Sequence, residues 1–411
     1  MEAAGWRNEG AMKTLTHRIK EFNRGLLKKP LEIKYAKLSE NAFSFLRGTC
    51  HLFYEDVSKI AGIPDAPYTW CTGDLHLENF GSYKGNNRLV YFDVNDFGEA
   101  ILLPATWELI RIMTSIFVAF DSLKISENKA AKTAELFLSE YSQVLRKGKA
   151  IYIEPQTAKG IVRKFLKNVS KRTQTELLNK RTDGKQNNLS LRIDDDRHFE
   201  LKKEIKKKLH AHITKWIGRH PRLKKYKCAD IAFHIAGLGS LGVHRYSFLL
   251  QHSGKPKTYL LLDMKEATPS SVLPYAKSSQ AIWFSEGERI CCIQDYMQNT
   301  CPALLGATRF EKADYVIREL QPSSDKVDFK LLKENYDDIC RVIGDMALLL
   351  ASAQLRSSGR KGAGTADELM QFANDPMWQE KIFLLSKTYS QVVKQYYREY
   401  RKEYKAGAFD L

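Results

Sequence analysis

The sequence predicts an α+β protein whose two lobes enclose a cleft. Two segments, 72–100 and 231–267, combine short apolar runs of strand type with turns rich in glycine or polar residues. Apolar residues at helical spacing occupy long stretches elsewhere, at 106–120, 126–146, 335–357 and from 376 onward. The 411 residues, 43% of them hydrophobic, suffice for one large domain or two smaller ones. A two-lobed mixed fold accounts for both the length and the pattern.

The segment 72–100 carries the first candidate site. Its carboxylate, carboxamide and imidazole side chains follow a polar turn and the end of a strand-like run: Asp74, His76, Asn79, Asp93 and Asp96. The apolar run 89–92 ends at Asp93, which indicates a strand that delivers this acid to the edge of a core. Oxygen donors of this kind suit a hard cation such as Mg²⁺. Ordinary turn chemistry also uses Asp, Asn and Gly, but it explains poorly their fixed offsets before a second acidic pair.

The segment 231–250 carries a glycine-rich loop between two strand-like runs, and the loop contains Gly237, Gly239, Ser240 and Gly242. Glycines allow backbone amides to approach phosphates closely. A dinucleotide-binding fold would continue with a helix, whereas here apolar and polar residues alternate as in a strand. The next strand-like run, 258–267, carries Lys265 near its end. The pattern predicts a phosphate-binding hairpin beside a lysine, although Lys265 could instead guard a sheet edge.

The segment 285–299 has helical spacing and offers two acids as partners for Lys265. Of Glu286 and Glu288 we select Glu288, while solvent exposure would explain either acid without a function.

These motifs resemble the catalytic segment of the protein-kinase-like phosphotransferases, especially the aminoglycoside and choline kinase branch. That branch carries a Gly-Asp-x-His-x-x-x-Asn-type loop and then a strand that ends in a metal-binding Asp. GDLHLEN (73–79), with one residue fewer between His76 and Asn79, and Phe92-Asp93 correspond to these two parts. The longer pattern is still more similar to an uncharacterised bacterial family, domain-of-unknown-function family 2252, over roughly residues 34–400. The motifs shared with that family are FLRG (45–48), GDLHLENFG (73–81), FDVNDF (92–97), WEL (107–109), GLGSLG (237–242) and MKEA (264–267).

The resemblance implies ATP and Mg²⁺ as cofactors and phosphoryl transfer to a hydroxyl acceptor. Asp74 would orient or deprotonate the acceptor, and His76 would orient the loop. Asn79 and Asp93 would bind Mg²⁺, with Asp96 assisting the metal or the acceptor. The acceptor would be a small molecule or a protein, and an acidic one would suit the positive charge of the chain.

The resemblance also implies that Lys265 clamps the α- and β-phosphates with Glu288 as its partner, under a cover formed by Gly237, Gly239, Ser240 and Gly242. In ordinary kinases the glycine loop and the lysine precede the catalytic loop, but here they follow it by about 160 residues. The expected architecture is therefore a circularly permuted kinase-like fold, with Lys265 and Asp93 facing each other across the cleft. Its parts would be a catalytic lobe (1–154), a basic polar insertion or connector (155–230), a β-rich nucleotide lobe (231–325) and completing helices (326–411).

Two other functions fit the same residues. A kinase-like fold that binds ATP in the reverse orientation would transfer AMP to a protein, and a non-catalytic nucleotide-binding scaffold would use its basic surface to bind a partner. The net charge of +17 attracts polyanions, yet solvated helix faces would account for clusters such as 202–208 and 222–227. No motif of nucleic-acid recognition accompanies the charge, so nucleic acid is not the expected target.

Composition indicates a cytoplasmic protein. No run approaches the roughly twenty apolar residues that span a bilayer, and residues 1–20 lack the uninterrupted apolar segment of a secretory signal. The seven cysteines contain no CxxC pair, which favours reduced thiols over a zinc site or a set of disulfides.

Overall fold

Helices and antiparallel sheets together make this a mixed α+β fold, as the sequence predicts. A computed structural model describes residues 13–185, 187–194, 197–239, 241–255 and 257–411. The helices are α1 (Leu15–Phe22), α2 (Lys28–Leu38), α3 (Ala42–Gly48), α4 (Cys50–Val57), α5 (Ala105–Ser122), α6 (Glu127–Lys147), α7 (Gly160–Ser170), α8 (Gln174–Arg181), α9 (Lys203–Gly218), α10 (Glu286–Met297), α11 (Phe329–Leu332), α12 (Tyr336–Ser357), α13 (Ala366–Asn374) and α14 (Met377–Lys405). The strands are β1 (Tyr68–Cys71), β2 (Phe80–Lys84), β3 (Val90–Val94), β4 (Ile101–Pro104), β5 (Thr182–Lys185), β6 (Asn188–Leu191), β7 (His198–Phe199), β8 (Tyr226–His234), β9 (Arg245–His252), β10 (Tyr259–Ala267), β11 (Gly306–Phe310), β12 (Ala313–Leu320) and β13 (Asp325–Lys326).

The largest sheet has six antiparallel strands in the order β11-β12-β10-β9-β8-β7. Strands β8 and β9 form the hairpin on either side of the glycine loop, and β10 follows directly beside β9. On one face, Leu209, Ile213 and Trp216 of α9 join the apolar side chains of the strands in a separate core. Helix α10 packs against β10, β11 and β12. The predicted strands at 231–250 and 258–267 and the predicted helix at 285–299 are thus confirmed.

The larger core lies among the helices that precede and follow this sheet in the sequence. Helix α5 is buried from Ala105 to Phe120 and packs on α6 and α14, while α12 packs on α6. Their ends follow ordinary capping rules, because Ser126 caps α6 and Asn335 caps α12 through hydrogen bonds to backbone amides. The two ends of the chain therefore build one helical body together.

Two small sheets attach the polar turn at 72–80 to this helical body. Strand β1 pairs with β4, and β2 pairs with β3 and β13 in the order β13-β2-β3. The polar turn connects β1 to β2, so hydrogen-bonded strands hold both of its ends. This arrangement fixes the turn relative to α5, which begins directly after β4.

The segment 155–230 is not a single connector. Helix α7 packs on α12 and β3 of the helical body. Helix α9 instead packs on β8 of the six-stranded sheet, and β7 pairs with the same strand. The apolar residues of this segment are thus divided among the core of the helical body and the cores on the six-stranded sheet.

Within the described residues, no helix combines the length and apolarity that crossing a bilayer requires.

Candidate functional site

One cavity is lined by residues from both segments that the sequence singled out. Asp74 and Asp96 come from the first segment, and Gly239 and Lys265 come from the six-stranded sheet. About 165 residues of chain separate the two pairs. The cavity is therefore a product of the tertiary fold, and its wall carries carboxylates, cations and exposed backbone together.

The turn that carries Asp74 is held by buried hydrogen bonds on both sides. The Glu108 carboxylate on α5 accepts from the Thr72 amide (2.6 Å) and from the Thr72 hydroxyl (2.7 Å). Gly73 has φ +80°, and a Cβ built on it would lie 2.2 Å from the carbonyl oxygen of Glu99. Both the positive φ and the close approach require glycine at this position. The backbone thus fixes where Asp74 points.

Arg111 orients Asp74 and favours its ionised form against the effect of burial. This arginine is fully buried, and it donates through Nη2 and through Nε (3.2 Å) to Asp74 Oδ1. Burial raises the pKa of Asp74 to about 6, although the Arg111 charge opposes that rise. A Cβ built on Gly239 would lie 3.6 Å from Asp74 Oδ2. The carboxylate therefore presents one oxygen to Arg111 and the other to the glycine loop.

Asn79 and His76 support the turn from within the protein. The Asn79 side-chain amide donates to the backbone carbonyl of Asp74 (2.7 Å), and the backbone carbonyl of Asn79 accepts from the Asn95 backbone amide (2.7 Å). Asn79 thereby connects the turn to the loop that carries Asp96. His76 is buried, its Nδ1 accepts from the Glu78 amide (3.1 Å), and burial holds its pKa well below the ordinary value. His76 is therefore a neutral supporting residue that does not line the cavity.

Asp96 faces Lys265 across the cavity. Its Oδ1 lies 3.6 Å from Lys265 Nζ, and its side chain is 56% exposed. The Lys265 charge lowers the pKa of Asp96, so this acid is ionised at neutral pH. The backbone of Asp96 has φ +67°, a conformation that Asp tolerates better than most residues and that is concentrated at functional sites.

Asp93 does not face Lys265, which corrects the expectation from the sequence. Its side chain is 2% exposed, it lies 3.4 Å from Arg356 Nη2, and it is absent from the cavity wall. The pairing of β3 with β2 turns this side chain into the helical body. Asp96, three residues further along, is the acid that lies beside Lys265.

The glycine loop lies over the polar turn. Gly237 and Gly242 have φ values of +78° and +106°, and Gly239 approaches Asp74 as described above. The Gly242 carbonyl accepts from the Leu27 amide (3.2 Å), so the segment between α1 and α2 holds the far end of the loop. Ser240 lies outside the described residues. Two of the predicted glycines thus have the backbone freedom expected of them, and the third contacts the site.

Glu288 is not the partner of Lys265, which is a second correction. Its carboxylate accepts from the Phe284 amide (2.7 Å), and its own amide donates to Ser285 Oγ (3.0 Å). This acid therefore stabilises the start of α10, in the manner of a capping box. Lys265 pairs with Asp96 instead.

Three buried charged residues of the site were missed in the sequence: Glu108, Arg111 and Arg289. Arg289 of α10 donates to the carbonyl oxygens of Gly98 (3.0 Å), Ala100 and Thr268 (3.0 Å). It therefore joins the loop after Asp96 to the end of β10. For Glu108 and Arg111 the available signal was a charge inside the otherwise apolar α5, since such charges are retained only where partners satisfy them. Helix α10 carries several other polar residues, so Arg289 had no such signal.

The donor set suits a cation that shares its coordination with a ligand. In the described part of the chain, no three His, Cys, Asp or Glu side chains gather at a metal-binding distance. Magnesium, however, usually takes one or two protein carboxylates and completes its shell with phosphate oxygens and water. Asp96 fits that pattern, whereas a structural metal cage would need more protein ligands. Asn79 is absent from the cavity wall, and its side-chain amide donates to the Asp74 carbonyl oxygen.

Comparison with known proteins identifies the family but no function. A family model described as "Uncharacterized protein conserved in bacteria (DUF2252)" matches residues 26–403. The chain belongs to this family, as its motifs indicated. No curated protein and no solved structure matches the chain.

Proposed function

We propose that the chain is an ATP- and Mg²⁺-dependent phosphotransferase with a protein-kinase-like, circularly permuted architecture, which acts on a hydroxyl acceptor. The observation that carries the proposal is the shared cavity in which Asp74 and Asp96 meet Gly239 and Lys265. Protein kinases bring the same four parts together: a catalytic-loop Asp, a metal-binding Asp, a glycine-rich loop and a strand lysine.

The local sequences support this proposal residue by residue. Residues 74–79 read Asp-Leu-His-Leu-Glu-Asn, which matches the Asp-Leu-x-x-x-Asn of the kinase catalytic loop. Residues 96–98 read Asp-Phe-Gly, the tripeptide whose Asp binds Mg²⁺ in kinases.

The order of elements around the lysine gives further support. Lys265 lies on β10, the third strand counted from the start of the glycine hairpin, and α10 is the next long helix. Kinases carry their lysine on the third strand and follow it with a helix. The catalytic turn precedes all of these elements in this chain, so the proposal requires a permutation. The interleaved packing of the N-terminal and C-terminal helices is compatible with one, since the two ends contribute to a single body.

In this mechanism Asp74 would orient the acceptor hydroxyl and accept its proton, because Oδ2 faces the cavity while Arg111 holds Oδ1. Mg²⁺ would neutralise phosphate charge when bound, with Asp96 as its protein ligand in the cavity wall, and Asn79 would hold the turn that carries Asp74. Lys265 would bind phosphate oxygens beside Asp96. Most of the acceleration would come from positioning and charge neutralisation, as phosphoryl transfer requires.

AMP transfer is the second candidate, and one feature of the cavity favours it. Arg318 on β12 also lines the cavity, and its half-exposed guanidinium lies 3.6 Å from the buried Asp263. A terminal phosphate could bind to this cation if ATP lay in the reverse orientation. ATP labelled on either the α- or the γ-phosphate separates the two reactions, because only the transferred group labels the acceptor.

The proposed function is tested by calorimetric titration of ATP with and without Mg²⁺. We expect Mg²⁺-dependent binding to weaken by about tenfold or more in Asp96→Asn and in Lys265→Met, which is about 1.4 kcal/mol or more. Asp93→Asn is the matched control, since this acid lies outside the cavity, and a folded variant should bind as the wild type does. Absence of Mg²⁺-dependent ATP binding in the wild type would refute the proposal. Intact binding together with a phenotype that Asp74→Asn leaves unchanged would support a non-catalytic scaffold instead.

A further inference from the structure

Besides Lys265 and Arg318, the cavity contains a buried lysine that the proposed roles do not use. Lys34 on α2 lines the cavity beside Asp74 and Glu99, although its side chain is only 2% exposed. A lysine is rarely buried to this degree without a paired acid, because removing an ammonium from water costs several kcal/mol. Lys34 therefore needs an explanation.

Within the described residues, Lys34 forms no ion pair at 4.0 Å or less, and its described acceptor is the neutral Asn23 Oδ1 (2.8 Å). An ammonium carries three N–H donors, so Asn23 satisfies only part of it. Its Nζ also lies 5.5 Å from the centre of the Phe22 ring, which supplies a further weak attraction. These contacts hold the side chain in place but do not neutralise it.

Asp74 and Glu99, the two acids whose charges act on Lys34, are already bound to other groups. Asp74 Oδ1 binds Arg111, and Glu99 Oε2 accepts from the Ser271 amide (2.6 Å) and from the Ser270 hydroxyl (3.2 Å). Burial lowers the pKa of Lys34 to about 8, while Glu99 and Asp74 act in the opposite direction. Lys34 is thus mostly protonated at neutral pH, with its positive charge uncompensated at short range.

Arg47 provides a second cation on the same side of the cavity. It lines the cavity, its Nη1 lies 2.7 Å from Glu78, and its buried Nε has no hydrogen-bond partner among the described residues. Lys34 and Arg47 lie on the side of the helical body, whereas Lys265 and Arg318 lie on the six-stranded sheet. The cavity therefore has cations on both walls.

We propose that Lys34, assisted by Arg47, forms an oxyanion subsite beside Asp74 that binds phosphoryl or carboxylate oxygens. An anion there would supply the negative counter-charge that Lys34 lacks. It would lie next to the Asp74 carboxylate, which orients the acceptor. Two sources of such oxygens are compatible with this position: the terminal phosphoryl group of the nucleotide, or an anionic group on the acceptor. The choice between these sources rests on the proposed function, but the subsite itself can be measured without any activity.

The test follows the Lys34 side chain directly by NMR in protein labelled with ¹³C at the lysine ε-carbon. The Lys34 signal is identified by its loss in Lys34→Arg, and that of the exposed Lys37 on the same helix by its loss in Lys37→Arg. Inorganic phosphate is added at constant ionic strength. We expect the Lys34 signal to shift saturably as phosphate is added. The Lys37 signal should change little, because salt screens an exposed lysine and no pocket holds phosphate beside it.

Nucleotides then distinguish the two sources. If Lys34 binds the terminal phosphoryl group, a Mg²⁺ complex of a non-hydrolysable ATP analogue shifts its signal and blocks phosphate, whereas Mg²⁺·ADP does neither. If Lys34 binds the acceptor, phosphate still shifts its signal in the presence of the ATP analogue. Both results support the subsite.

A Lys34 signal that responds neither to phosphate nor to the ATP analogue overturns the inference, and the wild-type titration gives this result without depending on a variant that folds. If calorimetry still detects Mg²⁺-dependent ATP binding in that case, only the subsite fails. If phosphate shifts Lys34 but ATP does not bind, the proposed function fails and the anion site stands.

Discussion

The buried pair of Arg111 and Asp74 gives a prediction that does not depend on the function. Arg111→Met keeps an unbranched side chain of similar length but removes the charge that faces Asp74. Breaking a buried ion pair from one side costs about 3–5 kcal/mol, because the remaining charge stays desolvated. The Asp74 side chain is 16% exposed, so partial solvation and protonation place the expected loss near the lower end, at about 3 kcal/mol.

The loss is measurable as a change in unfolding free energy or in melting temperature. The entropy of unfolding is about 2.1 cal/mol/K per residue, which gives about 0.9 kcal/mol/K for 411 residues. A loss of about 3 kcal/mol therefore lowers Tm by about 3–4 °C if the chain melts as one unit. Urea unfolding provides the free energy itself, and Arg146→Met on the exposed face of α6 is the matched control, with an expected change within about 0.5 kcal/mol.

A double-mutant cycle with Asp74→Asn decides whether the loss comes from the ion pair. The double variant buries two neutral groups, so we expect it to cost less than the sum of the single variants, with a coupling of about 2–3 kcal/mol. A loss below about 1 kcal/mol for Arg111→Met, together with additive effects in the cycle, would show that Arg111 does not stabilise the Asp74 carboxylate, contrary to our reasoning.

Three further predictions concern the same turn. Gly73→Ala should cost several kcal/mol, because residue 73 has a left-handed backbone conformation and the added Cβ would overlap the carbonyl oxygen of Glu99. Gly25, the control, has φ +87° but open space around it. Gly25→Ala should therefore cost only about 1–2 kcal/mol. Glu108→Leu should cost about 1–3 kcal/mol, since it leaves the buried Thr72 amide without an acceptor, and Glu108→Gln should cost less. Asp74 should titrate near pH 6, as measured by ¹³C NMR of its carboxyl carbon. Burial raises its folded-state pKa above the unfolded value. Its contribution to stability is therefore full below about pH 4 and is lost as pH rises through 6.

Each of these predictions has a clear contrary result. Equal losses in Gly73→Ala and Gly25→Ala would mean that the contact with residue 99 relaxes at little cost. Equal losses in Glu108→Leu and Glu108→Gln would mean that Glu108 stabilises the protein through packing and not through the hydrogen bonds that it accepts from Thr72. A carboxyl signal assigned by Asp74→Asn that titrates near pH 4 would show that Arg111 outweighs burial.

Much of the local structure was predictable because its causes lie within a few residues. The apolar spacing at 126–146 and 335–357 and the alternation in β9 are local patterns, and the helices and strands occur where those patterns predict them. The same is true of Gly73 and of the polar turn that carries Asp74, since Gly, Asp and Asn are common turn residues. The family motifs also follow directly from the printed sequence.

The relation between Asp93 and Asp96 could not be decided locally. Both acids follow the same strand-like run, and the alternation of a strand does not say which of its faces meets a cavity. The pairing of β3 with β2 and the presence of Arg356 bury Asp93, while the positive φ of Asp96 turns that side chain toward Lys265.

The sequence by itself determined which chemical groups are present, how each is spaced along the chain, and which helices and strands carry them, because propensity, capping and turn formation act over short distances. Only the tertiary structure decided that Lys265 meets Asp96 and not Glu288, that Arg111 holds Asp74, and that Lys34 faces the same cavity. These contacts join residues that lie 37 to about 170 positions apart. They arise from the packing of whole elements, which a local pattern of residues does not encode.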